Sequence, residues 1–264
     1  MPIEIIFGFL LAIIASLMGS MVGIGGGIVI SPFLSYLDYI PSQISSTSLM
    51  GVLSTSISSS ISYYKKKLIS NKIGIVISFS SIPGAYIGVF ISKIFSLSEF
   101  KLYFAFILIS TSLYLILKSR IKNYKLSSLD IDFDRRKWYN VHSIKLFLLV
   151  TLCLFAGILS SSFGIGGGII FVPALIILLG FNMNQAAATS QFALFFTSLS
   201  GLLLYIYYGY PNYPMGFSIS IGSLIGGTLG SNLSSKISSN SLKKIFSIIL
   251  IIISIKLLYD EYNI

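Results

Sequence analysis

Long apolar runs, several of them uncharged, alternate with short polar breaks along most of the chain. The runs cover residues 3–37, 43–62, 72–92, 100–117, 146–181, 185–206, 214–234 and 242–258. Most approach the roughly 20 residues a helix needs to cross a bilayer core. Helix is the expected form, because lipid offers no partner to an exposed backbone. Two runs, 3–37 and 146–181, are too long for one crossing and carry a glycine cluster midway. One polar stretch, 118–145, separates two groups of four runs. The pattern predicts an all-α integral membrane protein, a polytopic helical bundle. Residues 1–117 form a first membrane repeat, 118–145 a basic cytoplasmic linker, and 146–264 a second repeat.

The halves repeat residue by residue. Gly23-Ile24-Gly25-Gly26-Gly27 recurs as Gly164-Ile165-Gly166-Gly167-Gly168, and Pro32 and Leu34 recur as Pro173 and Leu175. Gln43, Thr47 and Ser48 recur as Gln185, Thr189 and Ser190. Gly84 and Gly88 recur as Gly226 and Gly230, and Lys101 and Phe104 as Lys243 and Phe246. The spacing changes by one residue, in the loop after the glycine motif. Such internal duplication is the usual construction of secondary transporters.

Composition sharpens this picture. Only 10% of the 264 residues are charged and 55% are hydrophobic, against about 25% charged in a soluble domain. The net charge of +10 sits in short loops, where it orients a membrane protein rather than binding nucleic acid. If each glycine-broken run enters and returns to one side, the halves are inverted. The cytoplasmic side then takes every Lys and Arg except Lys93, Lys101 and Lys256. A parallel arrangement would move Lys236, Lys243 and Lys244 outside, so the positive-inside rule favours inverted repeats. Tyr63 and Tyr64, and the cluster Tyr205, Tyr207, Tyr208, Tyr210 and Tyr213, are expected at the headgroups. The start, Met-Pro-Ile-Glu, has neither basic n-region nor cleavage site, so the first run is expected to be retained. Cys153 reads as a packing residue and His142 as interfacial. No metal-ligand spacing or cofactor motif is present, and homo-oligomer formation is left open.

The glycine pentads carry the clearest chemistry. They lack the Gly-Lys-Ser/Thr of a phosphate-binding loop, and Ile28 and Ile169 stand where a dinucleotide fingerprint needs glycine. A glycine break followed by a short apolar stretch predicts a half-helix starting at membrane depth. Its first amides lack intrahelical acceptors and together carry about half a positive charge. Absent side chains would let an anion touch them. Close helix packing is the competing use of the same glycines. Candidate substrate contacts are therefore Gly23, Gly25, Gly26 and Gly27, with Gly164, Gly166, Gly167 and Gly168. Pro32 and Pro173 would bend or end the half-helices.

Residues 43–62 hold nine Ser and two Thr without a charge, which should face protein or a wet cavity. Gln43, Thr47 and Ser48, with Gln185, Thr189 and Ser190, lie about one turn apart and could complete the shell of a bound oxyanion. Ser and Thr bonded to their own helix carbonyls are the bland alternative. No Asp, Glu, His, Lys or Arg lies near the middle of a confident span, so a proton-coupled pump is not indicated. A potential of 100 mV favours outward movement of a monoanion by about 2.3 kcal/mol. That supports roughly fifty-fold export without a coupling ion.

Gly-x-Gly-Gly-Gly-x4-Pro-x-Leu, then Ala/Ser-Thr-Ser after a short turn, occurs in both halves. The pattern resembles the sulfite exporter TauE/SafE family over essentially the whole chain. The resemblance implies a multi-pass transporter of the bacterial inner membrane with about eight spans. It also implies export of sulfite, sulfoacetate or a related sulfur-containing anion. Ser45 and Ser46 depart from the pattern that Ala187 and Ala188 keep. The expected function is secondary transport of such an anion through a midplane site, by a non-enzyme whose partners are lipid and the anion. An anion channel, or an importer of a sulfur oxyanion, is the alternative. A membrane enzyme lacks any nucleophile–base pair in a span.

Overall fold

A computed structural model describes residues 2–37, 39–120, 143–234 and 239–262. Among these, ten helices follow one another. The first half gives α1 (Pro2–Val22), α2 (Gly27–Leu34), α3 (Pro41–Lys65), α4 (Asn71–Ile94) and α5 (Leu97–Arg120). The second gives α6 (Ser143–Phe163), α7 (Gly168–Leu179), α8 (Met183–Tyr207), α9 (Tyr213–Leu233) and α10 (Ser239–Tyr262). Each long glycine-bearing run splits in two, as its length required. Ile3–Val22, Asn71–Ile94, Ile144–Phe163 and Met183–Tyr207 are long and apolar enough to cross a membrane. Most of the expected linker, with Lys236, lies outside the described residues.

The halves are interleaved. α1 packs along α9, and α6 packs along α4. In each pair residue numbers rise together, so the paired helices run in the same direction. A Cβ at Gly226 or Gly230 would strike the carbonyls of Ile13 and Leu17; at Gly84 or Gly88 it would strike those of Leu154 and Ile158. The recurring glycine pairs thus let backbones touch, as expected where lipid supplies no hydrophobic drive between helices. α3 and α8 lie between these pairs. α5 packs on α10, where Ser112 Oγ donates to the Ser247 carbonyl at 3.0 Å.

The two glycine breaks are tight turns. Gly23, Gly25, Gly164 and Gly166 have φ of 84°, 85°, 66° and 86°, a left-handed region costly to other residues. The amides of Gly23, Ile24 and Gly25 converge on the Gly19 carbonyl at 2.9, 2.9 and 3.2 Å. α2 then folds back along α1, bringing Gly26 to Ser16 and Phe33 to Gly8. Phe33 also packs on Phe7, with centroids 5.5 Å apart. In the second half Gly167 returns likewise to Ala156.

The sequence leaves Pro32 and Pro173 either to bend or to end the half-helices, and expects Tyr63 and Tyr205 at the headgroups. Pro173 does not end α7, which continues to Leu179 and stops at Gly180, φ 71°. Pro32 lies two residues before the end of α2, but inside it. Tyr63 and Tyr205 are fully buried rather than interfacial. Tyr63 Oη donates to the Ser20 carbonyl (2.9 Å) and Tyr205 Oη to that of Ser161 (2.7 Å). Each phenol therefore ties α3 or α8 to the turn preceding a break. Tyr64 and Tyr207 are exposed, as the aromatic-belt reading requires.

Candidate functional site

The two breaks meet each other in the interior. A Cβ on Gly27 would strike the Gly164 carbonyl, and one on Gly168 the Gly23 carbonyl. The helix-start ends of α2 and α7 thus face the opposite break. Their first helical bonds are Val29 and Ile30 N–H to the Gly26 carbonyl, and Ile170 and Phe171 N–H to that of Gly167. The amides of Gly26, Gly27, Gly167 and Gly168 precede those bonds and have no intrahelical acceptor. Val52 of α3 and Leu194 of α8, both fully buried, flank Gly25 and Gly166. Together they fill the space between the two breaks. A void of about 10 Å³ beside Gly166 and Gly167 has room for about one water.

The predicted hydroxyls stitch the halves together. Ser48 Oγ donates to the Gly164 carbonyl at 2.7 Å, and Ser190 Oγ to the Gly23 carbonyl at 2.6 Å. Thr47 Oγ1 accepts from the Asn212 amide and Thr189 Oγ1 from the Ser70 amide, each at 3.1 Å. Every one of these bonds crosses from one half to the other, and each has its counterpart at the repeat-related position. The four side chains are buried and satisfy main-chain groups that lipid could not.

Gln43 and Gln185 sit apart, half-buried in the first turns of α3 and α8. Gln43 Oε1 lies 3.4 Å from the Ile40 amide, as in a capping box, and the Gln185 amide donates to Asn182 Oδ1 at 2.9 Å. The residue that does reach a break is Gln191, which is fully buried. Its Nε2 donates to the Gly19 carbonyl (3.2 Å) and its Oε1 accepts from Ser59 Oγ (3.1 Å). Its repeat counterpart is Leu49, so the break of the first half alone receives an amide side chain.

Buried polar side chains among the described residues are Ser, Thr, Gln191 and the phenols of Tyr63 and Tyr205. Ser16 Oγ, facing Gly26, lies 2.9 Å from Ser223 Oγ and 2.7 Å from Thr55 Oγ1. In the other half Gly157 replaces Ser16, and Ser81 Oγ meets Thr197 Oγ1 directly at 2.6 Å. Such an interior is neutral, hydroxyl-rich and lined by two helix starts. It can stabilise negative charge through fixed dipoles, and among the described residues it buries no Asp, Glu, His, Lys or Arg.

Sequence reasoning passed over Val52, Leu194, Ser16 and the burial of the two tyrosines. Two of these were legible: Tyr63/Tyr205 and Val52/Leu194 recur at the spacing of Thr47/Thr189. No comparable signal marked Ser16, whose counterpart is glycine.

Comparison with known proteins agrees with this construction. The family model described as sulfite exporter TauE/SafE matches residues 8–257. "Probable membrane transporter protein YunE" of Bacillus subtilis (strain 168) is 32% identical over 262 residues, covering 95% of this chain and 96% of that protein. "Probable membrane transporter protein MJ0441" of Methanocaldococcus jannaschii is 31% identical over 213 residues, covering 78% and 72%. "Probable membrane transporter protein YfcA" of Escherichia coli (strain K12) is 24% identical over 258 residues, covering 97% and 90%. No solved structure matches the chain. With the duplicated glycine breaks in place at the centre of a helical membrane bundle, the chain belongs to the sulfite exporter TauE/SafE family of membrane transporters.

Proposed function

We propose that the chain is a multi-pass carrier of the bacterial inner membrane that exports a small anion of the sulfite or organosulfonate class. The observation that carries this reading is the meeting of two helix starts, each at a glycine break, in an interior without buried acids or bases among the described residues. Substrate would bind when the breaks part, between the amides of Gly25 to Gly27 and Gly166 to Gly168. Gly23 and Gly164 would shape the turns. Separation would release the hydroxyls of Ser48 and Ser190, and those of Thr47 and Thr189, to the anion. Gln43 and Gln185 would act at the mouths rather than at the centre. Pro32 and Pro173 would stiffen α2 and α7.

The carrier reading is preferred over an open channel because Val52 and Leu194 shut the centre. We read the halves, 1–117 and 146–264, as inverted repeats. α1 turns back at its break, and each half's first helix runs with the other's Gly84- or Gly226-bearing helix. Lysine placement agrees. Lys101 and Lys256 gather at Tyr36, 5.8 and 4.7 Å from its ring centre, and Lys93 sits by Tyr208. At the other end Lys66 Nζ donates to the Ser231 carbonyl at 2.7 Å. That end, continuous with the basic 118–145 stretch, would be cytoplasmic. Lipid and the anion are the expected partners.

The test is a flux panel in vesicles with sulfite, thiosulfate, sulfate, sulfoacetate and a carboxylate, imposing each sign of membrane potential. Saturable, voltage-driven movement with counterflow of labelled sulfite or sulfoacetate supports the proposal. Large unitary currents favour a channel, and flux of none of these anions refutes the substrate class.

A further inference from the structure

At the end of the molecule where α3 and α9 begin, a cavity of about 320 Å³ opens among Tyr39, Ser42, Ser92, Lys93, Ser96 and Tyr210. Its volume is at the lower end for small-molecule sites and exceeds what a bare oxyanion fills. Among the described residues of its lining, Lys93 is the one that carries charge. The ammonium lies 2.9 Å from the ring centre of Tyr208, 5.2 Å from Phe90 and 5.5 Å from Tyr210. Ring faces hold a cation without neutralising it. Among the described residues, the Glu99 and Glu4 carboxylates stand near the rim. Glu99 accepts from the amide and hydroxyl of Ser96 at 2.9 Å each. Burial, and the Glu4 charge nearby, push the Tyr39 phenol up.

The inner wall leads toward the breaks. Ser42 Oγ lies 3.4 Å from Ser92 Oγ, which lies 2.6 Å from Tyr205 Oη, itself bonded to the Ser161 carbonyl three residues before Gly164. On α3 the positions Ser42, Ser45 and Ser48 follow one helix face inward. Ser45 Oγ donates to the Ser162 carbonyl at 2.7 Å, and Ser48 reaches Gly164. The counterpart face of α8 carries Ala187 where α3 has Ser45. Hydroxyls therefore line one approach to the centre more densely than the other. Beside the second break, the hydroxyls of Ser160 and Ser161 are buried without a partner.

We infer that this cavity is an anion vestibule. In it Lys93 attracts a small sulfonate or sulfur oxyanion at the mouth opposite the basic end, where the polar face from the breaks opens. The inference rests on the carrier reading for its purpose, but its occupancy is measured without transport. Ser96→Cys, in a Cys153→Ser background, places one thiol at the rim. In reconstituted vesicles, labelling by an anionic methanethiosulfonate should outpace labelling by its cationic analogue. Lys93→Gln should lower that preference about tenfold, and Lys93→Arg should restore it. Millimolar sulfoacetate, which does not attack the reagent, should slow labelling in the Lys93 protein but not in Lys93→Gln.

Equal labelling by both reagents, no sulfoacetate protection, or a thiol closed to both reagents would overturn the vestibule, even if flux is intact. Protection that requires anionic lipid and ignores sulfoacetate would also overturn it, assigning the cavity to a headgroup. Protection without flux of any anion would uphold the vestibule and refute the carrier. Unchanged thermal unfolding of Lys93→Gln shows that the fold is held constant.

Discussion

Ser190 of α8 donates its hydroxyl to the Gly23 carbonyl, 2.6 Å away in the opposite half. Ser48 repeats the bond to Gly164 at 2.7 Å. Each serine satisfies a carbonyl freed when glycine interrupts a helix. Such a carbonyl, buried and unpaired, costs about 1–3 kcal/mol. Ser48→Ala and Ser190→Ala should each destabilise the protein by that order, and by similar amounts. Thermal unfolding in detergent checks this; two unchanged midpoints would refute the stitching role.

Tyr63 and Tyr205 brace the same region from farther along α3 and α8. Tyr63→Phe and Tyr205→Phe keep the ring and remove the bond to Ser20 or Ser161. Each should cost about 1–2 kcal/mol. Tyr64→Phe and Tyr207→Phe, at exposed positions, should leave unfolding unchanged.

The helix crossings depend on missing side chains. Gly84→Val and Gly226→Val would drive a branched side chain into the carbonyls of Leu154 and Ile13. The helices would have to part, costing about 1–3 kcal/mol or more, seen as lost yield of folded protein. Gly209 is the control. It has φ 72° with nothing within 4 Å of an added Cβ, so Gly209→Ala should cost only about 1–2 kcal/mol of backbone strain.

Val52 and Leu194 shut the centre from two sides. Val52→Ala with Leu194→Ala should open space beside Gly25 and Gly166 and destabilise the closed state by several kcal/mol. The expected result is faster passive anion leak in vesicles, together with a lower unfolding temperature. A lower unfolding temperature without leak would mean that another element closes the path.

Much of this architecture was legible in the sequence, because membrane and repeat constraints act locally. Length and apolarity force the helices, and a pentad of four glycines around Ile24 or Ile165 can hardly be continuous helix. The recurrence of Gly84/Gly88 as Gly226/Gly230 marked positions that matter, but periodicity could not say that they receive α6 and α1. Partner choice between helices is a tertiary property. The hydroxyl roles were hidden for a related reason. Thr47 and Ser48 could as well face a ligand, their own helix or the other half, and the same two residues satisfy each. Lys93 looked like an exception to the charge rule until the fold placed it beside Ser42 and Ser92.

The central claim is that helix-start amides at the two breaks select a negative solute. Gly27→Ala and Gly168→Ala test it most directly. Neither position has a left-handed φ, so alanine acts mainly on the contact between breaks. The measurement is voltage-driven efflux of labelled sulfite and sulfoacetate from vesicles, normalised to folded protein, with a neutral analogue of similar size alongside. The account predicts flux of the anions but not of the neutral solute, and at least tenfold loss of anion flux in either folded variant. Undiminished anion flux in both variants, or equal passage of the neutral analogue through the wild type, would contradict it.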